Sequence, residues 1–204
     1  MEKLTDIEQL RNKAREYIAD YLADPSNEAE SVRGMTQLEY NSLLMHLGRC
    51  LFPFADVLHI GGDINKPYNY ILIDDLIGLY TEISAKYNKV VSVVGFSYFI
   101  NVKASNIYNM NMDKSYILDI QVVDSKVLQA KYIGVTVADV VGQLTAVRED
   151  SLKNRLIQTG NAVGLLGVGN NEYLWDSSTQ IRGDVARVKA LAELPQFGGK
   201  MSIE

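Results

Sequence analysis

The stretch from Ser92 to Met112 constrains this chain more than any other, because it reads as a helix-turn-helix. In that motif two short helices cross through a tight turn, and the crossing dictates which positions are buried. Phe96 and Ile100 lie four apart on the first helix. Ser97 falls where the second helix approaches closely and only a small side chain fits. Asn101 falls at the turn, where the backbone wants a positive φ and Asn tolerates it better than most residues. Val102 then reads as the buried residue of the turn. Ile107 and Met110, three apart, supply the inner face of the second helix. Lys103, Ser105, Asn106, Tyr108 and Asn109 are left facing outward. They form a hydrogen-bonding surface of the kind that enters a major groove. The same pattern also suits an ordinary helical hairpin inside an α-helical core.

Charge limits how such a motif can work. The chain carries 20 Lys+Arg against 25 Asp+Glu, a formal net charge of −5. Phosphate contacts dominate affinity for DNA, so a stand-alone binder carries a basic footprint. Residues 36–113 hold Arg49, Lys66, Lys86, Lys89 and Lys103 against Glu39, Asp56, Asp63, Asp74, Asp75, Glu82 and Asp113. Affinity for nucleic acid must therefore be local, weak per subunit, or multiplied by self-association. Lys86, Lys89 and Lys103 are the expected positive patch, with Lys89 an expected DNA contact.

The remaining elements read from periodicity and caps. Residues 4–23 repeat Leu10, Ala14, Tyr17, Ile18 and Tyr21 at helical spacing, and a polar break around Pro25 follows. Thr36 with Glu39 makes a capping box that opens a helix, with Leu38, Leu43, Leu44 and Leu47 as its buried face. Residues 55–69, with Gly61, Gly62 and Pro67, read as an exposed loop or short hairpin. Tyr70 to Tyr87 is a helix buried along Ile73, Leu76, Ile77, Tyr80, Ile83 and Tyr87. Asp74 and Asp75 fall in its first turns, where they favour the helix dipole. Residues 115–123 and 133–137 are rich in β-branched residues and suit strands or buried helices, with 114–130 read as helical. Val137 to Thr159 is a helix with Val140, Val141, Leu144, Val147, Leu152 and Leu156 inward, closed by Gly160-Asn161.

These elements predict a mainly α chain. An N-terminal helix and linker span 1–34 and a helix-turn-helix domain spans 35–113. A helical oligomerisation region follows over 114–175, with room for a short β-hairpin, and a C-terminal arm covers 176–204. The chain, 47% apolar, has enough length for a real core. No apolar run is long enough to span a bilayer, and the opening residues lack the blocks of a signal peptide, so a cytoplasmic protein is expected. Cys50 stands alone and excludes an internal disulfide. His46 and His59 have no metal-ligand spacing, no nucleophile signature occurs, and the glycines from Gly164 to Gly169 are not a nucleotide loop. No enzyme, metal or cofactor is expected.

Two blocks resemble phage terminase small subunits, the DNA-recognition subunits of viral packaging machines. The first runs from Ile73 to Lys89, ending Tyr87-Asn88-Lys89, and continues through Val94-Gly-Phe-Ser-Tyr-Phe-Ile-Asn-Val102. The second runs from Arg148 through Gly160-Asn-Ala-Val-Gly to Asn171-Glu-Tyr-Leu-Trp175, with Ala162 where those proteins usually have Pro. The resemblance implies a non-catalytic, ring-forming subunit that binds double-stranded DNA and presents it to a large terminase subunit carrying the ATPase and nuclease. Two other readings stay open at this point: a helix-turn-helix transcription regulator of a phage or mobile element, and a structural virion or scaffold protein.

Overall fold

In the computed structural model, residues 6–27 and 29–159 are described. The chain divides into two units, Met1–Arg155 and Leu156–Glu204, and the packing below is that of the first. The fold is mainly α, with eight α-helices and two 3-10 turns among the described residues. They are α1 (Ile7–Ala23), α2 (Gln37–Leu51), α3 (Tyr70–Lys86), α4 (Val93–Phe99), α5 (Ala104–Met110), α6 (Ile117–Ile120), α7 (Lys126–Tyr132) and α8 (Val137–Thr159). The 3-10 turns, Ala55–Leu58 and Ile60–Gly62, sit between α2 and α3.

Local sequence explains where most of these helices start. Asp6 caps α1 by accepting from the Glu8 N–H at 3.0 Å. Thr36 and Glu39 form the expected capping box on α2, which draws the Glu39 carboxyl below its ordinary pKa. Asn69 caps α3 and Ser92 caps α4. Helices α3 and α4 also end alike. Asn88 and Asn101 both adopt φ 54, in the left-handed region. The N–H one residue further on reaches back to a carbonyl five residues earlier, Lys89 to Ser84 at 2.8 Å and Val102 to Ser97 at 3.0 Å. Each is the closure that satisfies a helix's last carbonyls with Asn in place of Gly.

Helix α3 is the hub of the core. It buries Leu72, Ile73, Leu76, Ile77, Leu79, Tyr80 and Ile83, an arc too wide for a surface helix. Helix α1 packs here through Leu10, Ala14 and Ile18, and Arg11 pairs with Glu82 of α3 at 3.0 Å. Helix α1 therefore contributes to the core rather than only tethering it. Helix α2 contributes Tyr40, Leu43, Leu44, Leu47 and Leu51, and the Tyr40 and Ser84 hydroxyls share a buried hydrogen bond of 3.0 Å. Leu38, expected inside, is 77% exposed. Five residues before Leu43, it is rotated far from the inward stripe.

The core continues past Asp113, the boundary expected for the helix-turn-helix domain. Ile117, Tyr132, Val137, Val140, Val141 and Leu144 belong to the same apolar cluster as α1–α5. Residues 114–130 are less helical than expected: α6 is a single turn, and an isolated bridge pairs Tyr116 with Thr136. No strand forms among the described residues, so the hairpin reduces to this bridge and another between His59 and Tyr68. Helix α8 has the bounds read from the sequence, with Val147 and Leu152 half-buried. Leu156 and the glycine-rich segment beyond it lie outside the described side chains.

Asp74 is not in the first turn of α3, whose first turn holds no acid. Its nearly buried carboxylate instead accepts from Lys131 Nζ at 2.6 Å, Tyr132 Oη at 2.7 Å and Gln143 Nε2 at 3.2 Å. Burial and this hydrogen bond push the Tyr132 hydroxyl up to about 12. Gln121 reinforces the same tie, accepting from the Tyr70 N–H at 3.0 Å at the start of α3.

Two stability outcomes follow. Asp74→Ala leaves the buried Tyr132 hydroxyl without its acceptor and should cost about 1–3 kcal/mol, read as a lower urea midpoint. Phe96→Ala empties a fully buried site and should cost about 3–5 kcal/mol in the same measurement.

Candidate nucleic-acid interface

The motif read from residues 92–112 forms as α4, a turn and α5. Its placement starts at Ser92, whose Oγ accepts from the Gly95 N–H at 2.8 Å. The Ser92 backbone is gripped in turn by the Tyr80 hydroxyl, which accepts from its N–H at 3.0 Å and donates to its carbonyl at 3.3 Å. Gly95 has to be glycine here, because a Cβ would sit 2.4 Å from that hydroxyl. Phe96 and Phe99 then lie on Tyr80 with ring centroids 5.7 and 5.8 Å away, and Phe52 meets Phe99 edge-on at 6.4 Å. Ser97 is buried, with its hydroxyl donated to the Val94 carbonyl at 2.8 Å.

The turn is anchored to α2 as well as to α4. Asn101 donates from its side-chain amide to the Phe52 carbonyl at 2.9 Å, satisfying an acceptor just past the end of α2. Beside it, α2 and α4 pass so closely that a Cβ on Gly48 would lie 2.0 Å from the Tyr98 carbonyl oxygen. Val102, expected to be buried, is only half-buried at the rim of the turn.

Helix α5 turns Ile107 and Met110 inward, as expected. Lys103, Ser105, Tyr108 and Asn109 are exposed, with Tyr108 at 52%. Ser105, Tyr108 and Asn109 follow the i, i+3, i+4 spacing of one helix face. Asn106 lies to the side of that face: it is half-buried and donates to the Tyr68 hydroxyl at 3.1 Å. Tyr68 is itself stacked on His59, whose Nδ1 is 2.6 Å from the Lys66 carbonyl oxygen.

Lys89 departs from expectation. It is 7% exposed, and its ammonium donates to the carbonyls of Arg33 (3.1 Å) and Met35. A cation enclosed by carbonyls is not offered to a phosphate, so Lys89 is removed from the DNA-facing set. Sequence spacing placed it near the motif, but the left-handed Asn88 turns the chain so that Lys89 points back toward the start of α2. Lys86 remains exposed at the end of α3, its Nζ 5.3 Å from the Tyr87 ring centre.

The basic partner of Lys103 comes from elsewhere. Arg49, in the last turn of α2, is exposed and borders the same open cleft as Lys103. This cleft of about 260 Å³ is bordered also by Met45, Tyr98 and Asn101, and no carboxylate lines it. On the other flank of α5 a second cleft, about 310 Å³, is bordered by Tyr68, Tyr70, Asn106, Asn109 and Asp113. The second helix of the motif thus lies between a basic cleft at its start and an amide-rich one, with one acid, at its end. Arg49 was invisible as a site residue because a basic residue in the last turn of a helix already has a role against the helix dipole.

Burial raises the Cys50 thiol, whose Sγ lies 3.6 Å from His46 Nε2. Among the described residues no group of His, Cys, Asp and Glu is placed to hold a metal ion. Nor is any described helix long and apolar enough to cross a membrane.

Asn101 gives the site its own test. Asn101→Gly keeps the positive φ but removes the amide to Phe52, and should cost about 0.5–1.5 kcal/mol. Asn101→Val should cost more, because a β-branched residue resists the left-handed conformation. Thermal denaturation of the two variants checks the order.

No protein-family model, curated protein or solved structure matches this chain.

Proposed function

We propose that this chain is the non-catalytic DNA-recognition subunit of a viral DNA-packaging terminase. In this reading it binds double-stranded DNA through α4, the turn and α5, acts as a homo-oligomer, and presents the DNA to a large terminase subunit. The observation that carries DNA binding is the α5 outer face: Lys103, Ser105, Tyr108 and Asn109 stand free of the core on a helix whose inner side is locked by Ile107 and Met110. The packaging role rests on the two sequence blocks that resemble terminase small subunits. Oligomerisation is supported by the charge, since a chain of net −5 with few local cations needs several copies to hold a polyanion.

Two measurements test this. Lys103→Glu should weaken binding of the full chain to duplex DNA and lower the slope of log K against log salt by about one unit. A salt titration with no change would remove α5 from the interface. Light scattering on the full chain should find a closed ring of several copies. A dimer would instead favour the regulator, and a monomer that binds no duplex would sink the DNA reading.

A further inference from the structure

We infer that Arg49 and Lys103 together clamp one phosphodiester strand of duplex DNA, which makes the end of α2 part of the interface. The inference rests on the helix-turn-helix reading above and adds a residue from outside the motif. Both side chains are exposed and border one open cleft whose lining includes no carboxylate. Among the described residues neither has an ion-pair or hydrogen-bond partner. In a chain of net charge −5, an acid-free cleft with two cations beside the candidate recognition helix is where an anionic backbone is attracted.

The cleft is also built on rigid parts. Gly48, next to Arg49, is where α2 and α4 approach too closely for any side chain. Asn101 bonds the turn to the Phe52 carbonyl at 2.9 Å, closing the same junction three residues beyond Arg49. Lys103 follows that turn directly and precedes α5. Arg49 and Lys103 therefore extend from backbones whose relative position is held by a steric contact and a hydrogen bond. A fork-shaped guanidinium and a flexible ammonium on such a base suit adjacent phosphate oxygens along one strand. Met45 and Tyr98, which border the cleft as well, offer apolar surface for the sugar edge.

The chemistry recognised is a phosphate anion, and the experiment separates a duplex backbone from free phosphate. Full-length chain is titrated with a fluorescent duplex of mixed sequence by anisotropy over a range of chloride concentrations. Arg49→Gln and Lys103→Gln should each lower the salt slope by about 0.9, and the double variant by about twice that. Arg49→Lys should restore most of the slope, because it keeps the charge, and Arg15→Gln, an exposed change on α1, should leave it unaltered. Circular dichroism melting should place all variants near the parent. If Lys103→Gln lowers the slope and Arg49→Gln does not, the clamp is wrong while α5 keeps its role. If neither changes it, or the parent does not bind duplex, both the clamp and the helix-turn-helix reading fail. Inorganic phosphate should displace the duplex no better than chloride at equal ionic strength. Displacement by phosphate that Arg49→Gln abolishes would assign the cleft to free phosphate and overturn the duplex backbone as its ligand.

Discussion

The junction between the end of α2 and the turn after α4 holds the rest of the candidate interface in place. Two helices can come this close only where one has no side chain, and Gly48 supplies that position. Close approach leaves polar groups at the ends of both elements to satisfy. Asn101 answers this twice: its backbone takes the left-handed conformation that closes α4, and its side chain meets the Phe52 carbonyl. Once the turn is held, Lys103 and the start of α5 follow with little freedom, since Ile107 and Met110 fix the helix phase from below. A Cβ at Gly48 would push on a backbone carbonyl, which has nowhere to rotate, rather than on a side chain that can move aside.

Much of this was legible in the sequence where the signal is local. Capping at Thr36 with Glu39, the positive φ of Asn101, the bounds of α8 and the inward set of α3 follow from short-range rules about hydrogen bonds and helical period. What was not legible depends on partners far along the chain. Lys89 is spent on carbonyls more than fifty residues away, Asp74 on donors from α7 and α8, and Gly48 on a carbonyl of α4. None of these pairings leaves a spacing that can be read, because each is set by how whole helices pack. Leu38 shows the opposite limit: its hydrophobicity suggested burial, but its angular position on α2 decided exposure. Residues 114–132 were ambiguous for a physical reason too. Their apolar runs are short and interrupted, so they form only the short helices α6 and α7, tied in by the Gln121 hydrogen bond and the Tyr116–Thr136 bridge.

Division of the chain at Asp113 followed the end of a motif, whereas the core follows burial. Asp74 makes the difference concrete. A nearly buried carboxylate is costly without donors, and its three donors all come from beyond residue 130. The segment expected to serve self-association is therefore also the segment that neutralises a charge on the hub helix. Any change that shifts α7 or the start of α8 acts on α3, and α3 holds Ser92 through Tyr80. Motif and downstream helices are linked by a chain of identifiable bonds.

On the proposed reading, that linkage meets the charge problem directly. Two phosphate contacts per chain give only a modest, salt-sensitive affinity, because each released counterion contributes about one unit of salt slope. Joining several such subunits makes each later contact intramolecular, and avidity gains of about 10²–10⁴ then require no additional cation on any one chain. The gain is realised only if every subunit presents its cations in the same geometry, since a linker or interface that cannot match the spacing forfeits it. Rigid placement of Arg49 and Lys103 by Gly48 and Asn101, and of α3 by Asp74, supplies that uniformity. An acidic chain then has an advantage over a basic one: single subunits hold DNA weakly, and tight binding is reserved for the assembled form.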